Sequence, residues 1–147
     1  MDDIQAAARI LGVRLVTLRA STQSDIEAAF ASIAGPDFHG LVVAADPLFF
    51  QHRDQLIAMV ARRSIPAIYS DRLFSESGGL MSYGTDIPDG FRLAGVYTGR
   101  ILTGEKPSDL PVQRSTKVEL LLNMQAAKAL GIHVPASLLA LADEVIE

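Results

Sequence analysis

Three short apolar segments recur along this chain at a fixed interval of 26 residues. They cover residues 15–18, 41–45 and 67–69, and amphipathic stretches separate them. An interval of this length accommodates one strand, one crossover helix and two short loops. Strands that alternate with helices in this way favour a parallel sheet with helices on both faces. The chain is therefore predicted to form a three-layer α/β fold.

The segments between these strands carry helix signals of two kinds. Apolar side chains at residues 26, 29, 30 and 33 have the spacing of one helix face, and Ser24 or Asp25 can cap that helix. Asp46 followed by Pro47 is typical of a helix start, because proline suits the first helical position. These signals place the end of the second strand directly before a helix N-terminus.

The pattern changes after Gly79. Residues 80–83 are predicted to form a strand and residues 88–102 a helix that ends at Gly104. Residues 118–122 form a fifth strand candidate, followed by a short helix over 124–130. A last helix is predicted to begin at Pro135, with Leu138, Leu141 and Val145 on its apolar face.

Composition excludes several classes of function. The 147 residues are 49% hydrophobic with a mean hydropathy of +0.26, as in a globular domain. A formal charge of −4 disfavours a nucleic-acid partner. The chain contains no cysteine and therefore no disulfide or thiolate nucleophile. The residues that follow Met1 do not form a signal segment, so none is expected in this chain.

Catalytic and metal-binding patterns are absent from the sequence. His39, His52 and His133 lie 13 residues or more apart and lack nearby carboxylates at ligand spacing. The serines do not lie in a nucleophile elbow, and no glycine-rich phosphate loop occurs. We therefore expect a protein that is not an enzyme and that carries neither a metal nor a cofactor.

Five sequence motifs, in order, resemble one known family. They are DPLFF at 46–50, IPAIY at 65–69, GGLMSYG at 78–84, ILTGEKPSDLPVQ at 101–113, and AKALGI with PASLL at 127–139. Together they are similar to the ABC-transporter substrate-binding family of type I periplasmic binding proteins. The resemblance extends from about residue 6 to the last residue. The chain departs from it at Ser70-Asp71-Arg72, where many relatives have a glycine and an aromatic residue.

This resemblance implies a two-lobed periplasmic receptor that delivers a small solute, such as tryptophan or tyrosine, to an ABC permease. The chain would be its C-terminal half, an incomplete lobe of the type I fold. Residues 1–78 would belong to the second lobe and 79–115 to the hinge crossover and a first-lobe helix. Residues 116–147 would form the returning strand and the C-terminal helices.

Candidate solute contacts follow from the rule that ligands bind beyond the carboxyl ends of the strands in open α/β sheets. The tyrosines are suited to stacking on a planar solute, and the aspartates to pairing with an ammonium group. Simpler roles remain open: Asp46 as an N-cap only, Tyr69 as packing only, and Gly84 as a hinge turn with positive φ. The candidates are Asp46, Pro47, Leu48, Tyr69, Asp71, Tyr83, Gly84 and Asp86.

Two other interpretations use the same strand–helix pattern. A small flavodoxin-like enzyme or switch has similar sheet organisation, and a structural domain that dimerises is a third interpretation. In the family's lobes the first strand lies between the second and third, and this chain lacks that first strand. Unpaired strand edges favour association. We therefore predict a homodimer, formed by exchange of the segment from about residue 80 onward or by pairing of sheet edges.

Overall fold

The computed structural model describes residues 2–33, 38–113 and 116–147. The chain divides into two compact units, one ending at Gly35 and the other beginning at Pro36. Within the described part of the chain, no helix is both long and apolar enough to cross a bilayer.

Over its described residues, the N-terminal unit contains two helices, α1 (Asp2–Ile10) and α2 (Gln23–Ser32). Thr22, rather than the predicted Ser24 or Asp25, is the N-cap of α2. Its side chain accepts a hydrogen bond from the Asp25 amide at 3.2 Å, and the Asp25 carboxylate accepts one from the Thr22 amide at 2.9 Å. This reciprocal pair satisfies donors that the first helical turn leaves free. Ile26 and Phe30 on the predicted apolar face are buried.

The predicted strand at residues 15–18 is wrong, because these residues pair with no strand of the described sheet. A β-strand is defined by pairing with a neighbour, and an apolar run alone does not supply the partner. Val16 is 47% exposed. The 26-residue spacing therefore identified two strands of the sheet, at residues 41–43 and 67–69, and not three.

The larger unit contains five strands interleaved with helices over the residues that the structure describes. The strands are β1 (Leu41–Val43), β2 (Ala67–Tyr69), β3 (Met81–Thr85), β4 (Val118–Asn123) and β5 (Glu144–Ile146). The helices are α3 (Pro47–Gln51), α4 (Arg53–Arg62), α5 (Arg72–Glu76), α6 (Ile87–Leu102), α7 (Met124–Ala129) and α8 (Ala136–Leu139), with a 3₁₀ turn at Pro107–Asp109.

The five strands form one sheet in the order β1-β2-β3-β4-β5. The pairs β1–β2, β2–β3 and β4–β5 are parallel, whereas β3–β4 is antiparallel. The sheet is therefore mostly parallel, as predicted. Because β4 runs against β3, the amino end of β4 lies at the same edge of the sheet as the carboxyl ends of β1, β2 and β3.

Helices cover both faces of the sheet around β3 and β4, which confirms the three-layer arrangement. On one face, the Asn123 side chain of β4 donates to the Ser75 carbonyl of α5 at 2.9 Å. On the other face, Leu122 and Leu80 form a buried cluster with Ala127 and Val134. Leu138 and Leu139 of α8 pack against that cluster. Alternation along β4 directs successive side chains to opposite layers.

The predicted last helix is too long. The helix α8 ends at Leu139, and residues 144–146 form β5 alongside β4. Asp143 stabilises this change of direction, since its amide donates to the Leu120 carbonyl and its carboxylate accepts from the Leu120 amide, at 2.9 and 2.8 Å. These non-local bonds outweigh the helical spacing of the apolar residues.

Candidate functional site at the carboxyl edge of the sheet

Three aspartates follow three adjacent parallel strands, and each caps the next helix. Asp46 Oδ1 accepts from the Leu48 amide at 2.8 Å, and Asp71 Oδ1 accepts from the Leu73 amide at 2.9 Å. Asp86 Oδ1 accepts from the Asp89 amide, also at 2.9 Å. The strands are parallel, so all three turns lie at one edge of the sheet. The structure therefore brings these three predicted residues to a common edge.

The three aspartates differ in their access to solvent. Asp46 is exposed, whereas Asp71 and Asp86 are 8% and 6% exposed. Pro47 is exposed and Leu48 partly buried at the first two positions of α3. The predicted N-cap role of Asp46 is present in the structure. Its exposed carboxylate is also open to a second contact, so the cap and the solute-binding roles are compatible.

Lys117 pairs with Asp86 across the antiparallel β3–β4 boundary. Its Nζ lies 2.5 Å from Asp86 Oδ2, and the Asp86 amide donates to the Lys117 carbonyl at 3.0 Å. The hydrogen bond from Lys117, followed by that from the Asp89 amide, holds the pKa of Asp86 below its ordinary value. The same pairing raises the pKa of Lys117. Asp86 is therefore a charged carboxylate that is already paired with Lys117, and it is not a free partner for a cationic solute.

Arg72, the first residue of α5, contacts carboxylates from three elements. Its Nε lies 2.8 Å from Glu76, its Nη1 3.0 Å from Glu119 on β4, and its Nη2 2.7 Å from Glu144 on β5. These bonds, that to Glu76 foremost, raise the pKa of Arg72. Sequence reasoning missed this network, although Arg72 lies in the segment that departs from the family pattern.

Tyr69 lies in the core, which favours a packing role for its side chain over the predicted solute contact. The side chain is 1% exposed, and its ring stacks on Phe74 with centroids 4.7 Å apart and planes at 13°. The hydroxyl lacks a hydrogen-bond partner among the described residues, and burial raises the pKa of Tyr69 to about 12. Tyr69 ends a buried strand and the next helix covers it, so its ring is not accessible to a solute. The packing alternative is the one the structure supports.

Tyr83 and Gly84 are consecutive residues near the end of β3. Tyr83 is 58% exposed, and its ring is thus available to a planar solute. The predicted positive φ at Gly84 is wrong: the positive-φ glycines among the described residues are Gly12, Gly78, Gly104 and Gly131. Gly84 is required for another reason, because a β-carbon there would lie 1.9 Å from the Ser70 carbonyl oxygen.

The three histidines lie in separate connections of the chain. His39 precedes β1, His52 joins α3 to α4, and His133 lies in the loop between α7 and α8. Over the ranges that the structure describes, His, Cys, Asp and Glu side chains do not form a group of three suited to holding a metal ion.

Fold and site together define a class of protein: an α/β lobe whose polar turns meet at the carboxyl edge of a mostly parallel sheet, the position at which such sheets bind ligands. The model of the ABC transporter substrate binding protein family matches residues 1–146. This chain belongs to that family. None of the curated proteins compared with it matches significantly.

Solved structures share this fold. A conserved domain protein from Vibrio cholerae O1 biovar El Tor is 26% identical with a TM-score of 0.85, and the match covers 99% of this chain and 49% of that one. An ABC domain from Streptococcus pneumoniae in complex with L-Trp is 24% identical with a TM-score of 0.85, covering 99% and 50%. A ligand-free, open substrate-binding protein with adhesive properties from Clostridium difficile is 25% identical with a TM-score of 0.66, covering 99% and 48%. The chain thus spans about half the length of these structures.

Proposed function

We propose that this chain supplies one wall of a binding site for an amino-acid-like solute and that the carboxyl edge of its sheet is that wall. The observation that carries the proposal is the convergence of three aspartate-capped turns at one edge, in a chain of the substrate-binding family. A protein with this role acts outside the cytoplasm and passes its solute to an ABC permease.

Charge at the edge favours a solute with a positive group. Each helix N-terminus carries a partial positive charge, which by itself attracts anions. Here Asp46, Asp71 and Asp86 occupy those positions and offset that charge. Lys117 neutralises Asp86, which leaves Asp46 as the exposed carboxylate of the three. An α-ammonium group is the natural partner for Asp46, through a charge-assisted hydrogen bond.

An aromatic side chain on the solute is supported by two observations. Tyr83 is 58% exposed on a strand adjacent to the Asp71 turn. The structurally similar pneumococcal domain was solved in complex with L-Trp. Ring stacking of Tyr83 on an indole or phenol, combined with the ammonium contact, would select aromatic amino acids over aliphatic ones.

The flavodoxin-like alternative receives no support from the site. Its characteristic ligand is a phosphorylated cofactor, and a phosphate group at this edge would approach three carboxylates. Membership in the substrate-binding family also disfavours it. The site therefore favours solute binding over an enzymatic or switch function.

NMR titration of the 147-residue chain with L-tryptophan tests the proposal. Binding should be weak because this chain supplies only one wall of the site, and chemical shifts detect weak binding. We expect saturable shifts at the amides of Asp46, Tyr83 and Thr85, with none at the opposite edge around Ile65 and Leu80. Indole-3-propionate, which lacks the ammonium group, should bind more weakly. Absence of saturable shifts at the carboxyl edge with any aromatic amino acid would refute the proposed function.

The matched variants are Asp46→Asn and Tyr83→Ala. Asparagine is as good an N-cap as aspartate, so Asp46→Asn should keep the stability of α3 while weakening L-tryptophan binding by about tenfold. Tyr83→Ala should also weaken binding, since it removes the exposed ring. If Asp46→Asn left the affinity unchanged, Asp46 would be an N-cap alone.

A further inference from the structure

Glu119 is the shared partner of two cations that belong to different turns. Its Oε2 lies 3.0 Å from Arg72 Nη1, and its Oε1 lies 3.2 Å from Lys117 Nζ. The Glu119 side chain is 14% exposed, so it is the most buried of the three carboxylates described above as contacting Arg72. Glu119 also pairs with Gly84 in the β3–β4 ladder, so it lies within the sheet, next to the carboxyl edge.

The contacts form a continuous path between two of the aspartate-capped turns. Arg72 follows Asp71 directly and is the first residue of α5. From Arg72 the path passes through Glu119 to Lys117, and Lys117 pairs with Asp86 at the start of α6. One carboxylate thus connects the β2–α5 turn to the β3–α6 turn, although Arg72 and Lys117 are 45 residues apart in sequence.

We propose that Glu119 is a positioning residue that holds the Asp71 and Asp86 turns in one fixed arrangement at the carboxyl edge. The inference rests on the proposed function for its consequence, which is a preformed solute-binding wall. Each turn alone has a few local hydrogen bonds, and a shared, partly buried carboxylate makes the position of one turn depend on the other. Hydrogen-bond and ion-pair networks show such coupling when their members share a partner.

Glu76 provides a matched comparison within the same network. It contacts Arg72 at 2.8 Å, as Glu119 does at 3.0 Å, but among the described residues it forms an ion pair with Arg72 alone. Removing the charge of Glu76 acts directly on one turn, whereas removing the charge of Glu119 acts directly on both. The difference between Glu76→Gln and Glu119→Gln therefore separates positioning across the edge from local stabilisation of α5.

Two backbone amides report directly on the turns. The Leu73 amide donates to Asp71 and the Asp89 amide donates to Asp86, each at 2.9 Å. Hydrogen exchange at these amides, measured by NMR, follows the opening of each turn. We expect Glu119→Gln to accelerate exchange roughly three- to tenfold at both amides. Glu76→Gln should accelerate exchange mainly at the Leu73 amide, because it acts directly on that turn alone.

Coupling is tested with Lys117→Met, a substitution at an exposed side chain that the fold should tolerate. It should accelerate exchange at Asp89 directly and at Leu73 through Glu119. The effect on Leu73 should disappear when Lys117→Met is made in the Glu119→Gln background. Glu105→Gln, which removes the ion pair with Arg100 at the far end of α6, serves as a control and should leave both amides unchanged.

These measurements need no solute, so the inference and the proposed function can fail separately. If Glu119→Gln affected only Leu73, or if Lys117→Met left Leu73 unchanged, the positioning role would be overturned whether or not L-tryptophan binds. If both amides respond as expected and L-tryptophan shifts the edge amides, Glu119→Gln should also weaken L-tryptophan binding several-fold, without direct contact. An unchanged affinity in that case would show that the coupling does not shape the solute wall.

Discussion

The α-carbon of Gly84 in β3 lies against the backbone carbonyl of Ser70, in the turn that follows β2. A β-carbon at Gly84 would lie 1.9 Å from the Ser70 oxygen and 2.7 Å from its carbon, distances at which one backbone must move. The close approach brings the Asp71 turn over the end of β3. Glycine at this position therefore permits the turn after β2 to pack against β3 at the carboxyl edge.

Gly84→Ala should destabilise the protein by about 1–3 kcal/mol, because the obstructing atoms are backbone and cannot rotate away. Urea unfolding followed by circular dichroism measures this change. Gly95→Ala is the control: a β-carbon added to Gly95, inside α6, would meet no described atom within 4 Å, so alanine should stabilise by roughly 0.5–1 kcal/mol. Equal effects of the two substitutions would contradict the close approach at Gly84.

Tyr69→Phe should leave the protein as stable as the wild type, or more stable by up to about 1 kcal/mol, at neutral pH. The substitution keeps the ring that stacks on Phe74 and removes a buried hydroxyl without a hydrogen-bond partner among the described residues. Thermal unfolding tests this, and L-tryptophan binding should not change, since Tyr69 is buried. A loss of more than about 1 kcal/mol would indicate that the hydroxyl has a partner.

Stability at alkaline pH should also depend on Tyr69. Burial raises the pKa of Tyr69 from 10.0 to about 12, so folding favours the protonated hydroxyl. This contribution is complete below about pH 10 and is lost as the pH rises through about 12. The stability of the wild type should therefore fall relative to Tyr69→Phe across that interval. Parallel curves for the two proteins from about pH 9 to about pH 12 would contradict the buried position.

The ion pair between Asp86 and Lys117 should be visible in acid titration. The pKa of Asp86 is lowered from 3.8, so its charge contributes stability that is present above that value and is lost as the pH falls through the lower one. In Lys117→Met, the pKa of Asp86 should move up towards 3.8, as measured by NMR of the carboxyl carbon. If the pKa of Asp86 did not change, the hydrogen bond from the Asp89 amide, and not Lys117, would be the cause of its lowering.

Self-association is expected from two surfaces of the larger unit. The outer edge of β1 is not paired with another strand of the described sheet, and no residue of α6 is buried within the described part of the chain. Phe91 and Leu102 on α6 are 75% and 82% exposed. We predict a mass above 15.8 kDa by light scattering at micromolar concentration. A monomer across that range would refute the predicted dimer.

Two substitutions distinguish the modes of association. Leu41 donates its amide to Pro66 beside β2, so strand alternation directs the Val42 amide to the open edge. Val42→Pro should therefore block pairing at that edge without removing a bond to β2. Phe91→Glu should instead weaken association through α6 or through exchange of the segment that contains it. The variant that restores the monomer identifies the surface used.

Local signals in the sequence were sufficient where the interaction is local. Asp46 and Pro47 predicted a helix start because the cap bonds lie within the same turn, and the structure shows that cap. Residues 41–45 and 67–69 were correctly predicted to contain strands, since each apolar run is short and bounded by turn residues. The order of strands and helices then indicated the carboxyl edge as the candidate site.

The sequence by itself determined the strand–helix alternation, the aspartate caps and the family, because these depend on neighbouring residues and on motif order. Only the tertiary structure decided which apolar runs pair and which charges meet. Residues 15–18 have no partner strand in the described sheet, whereas residues 144–146 pair with β4 despite their helical spacing. Arg72 reaches Glu144 across 72 residues, a contact that no local pattern encodes. Strand pairing and ion pairing depend on distance in space, and chain folding alone sets that distance.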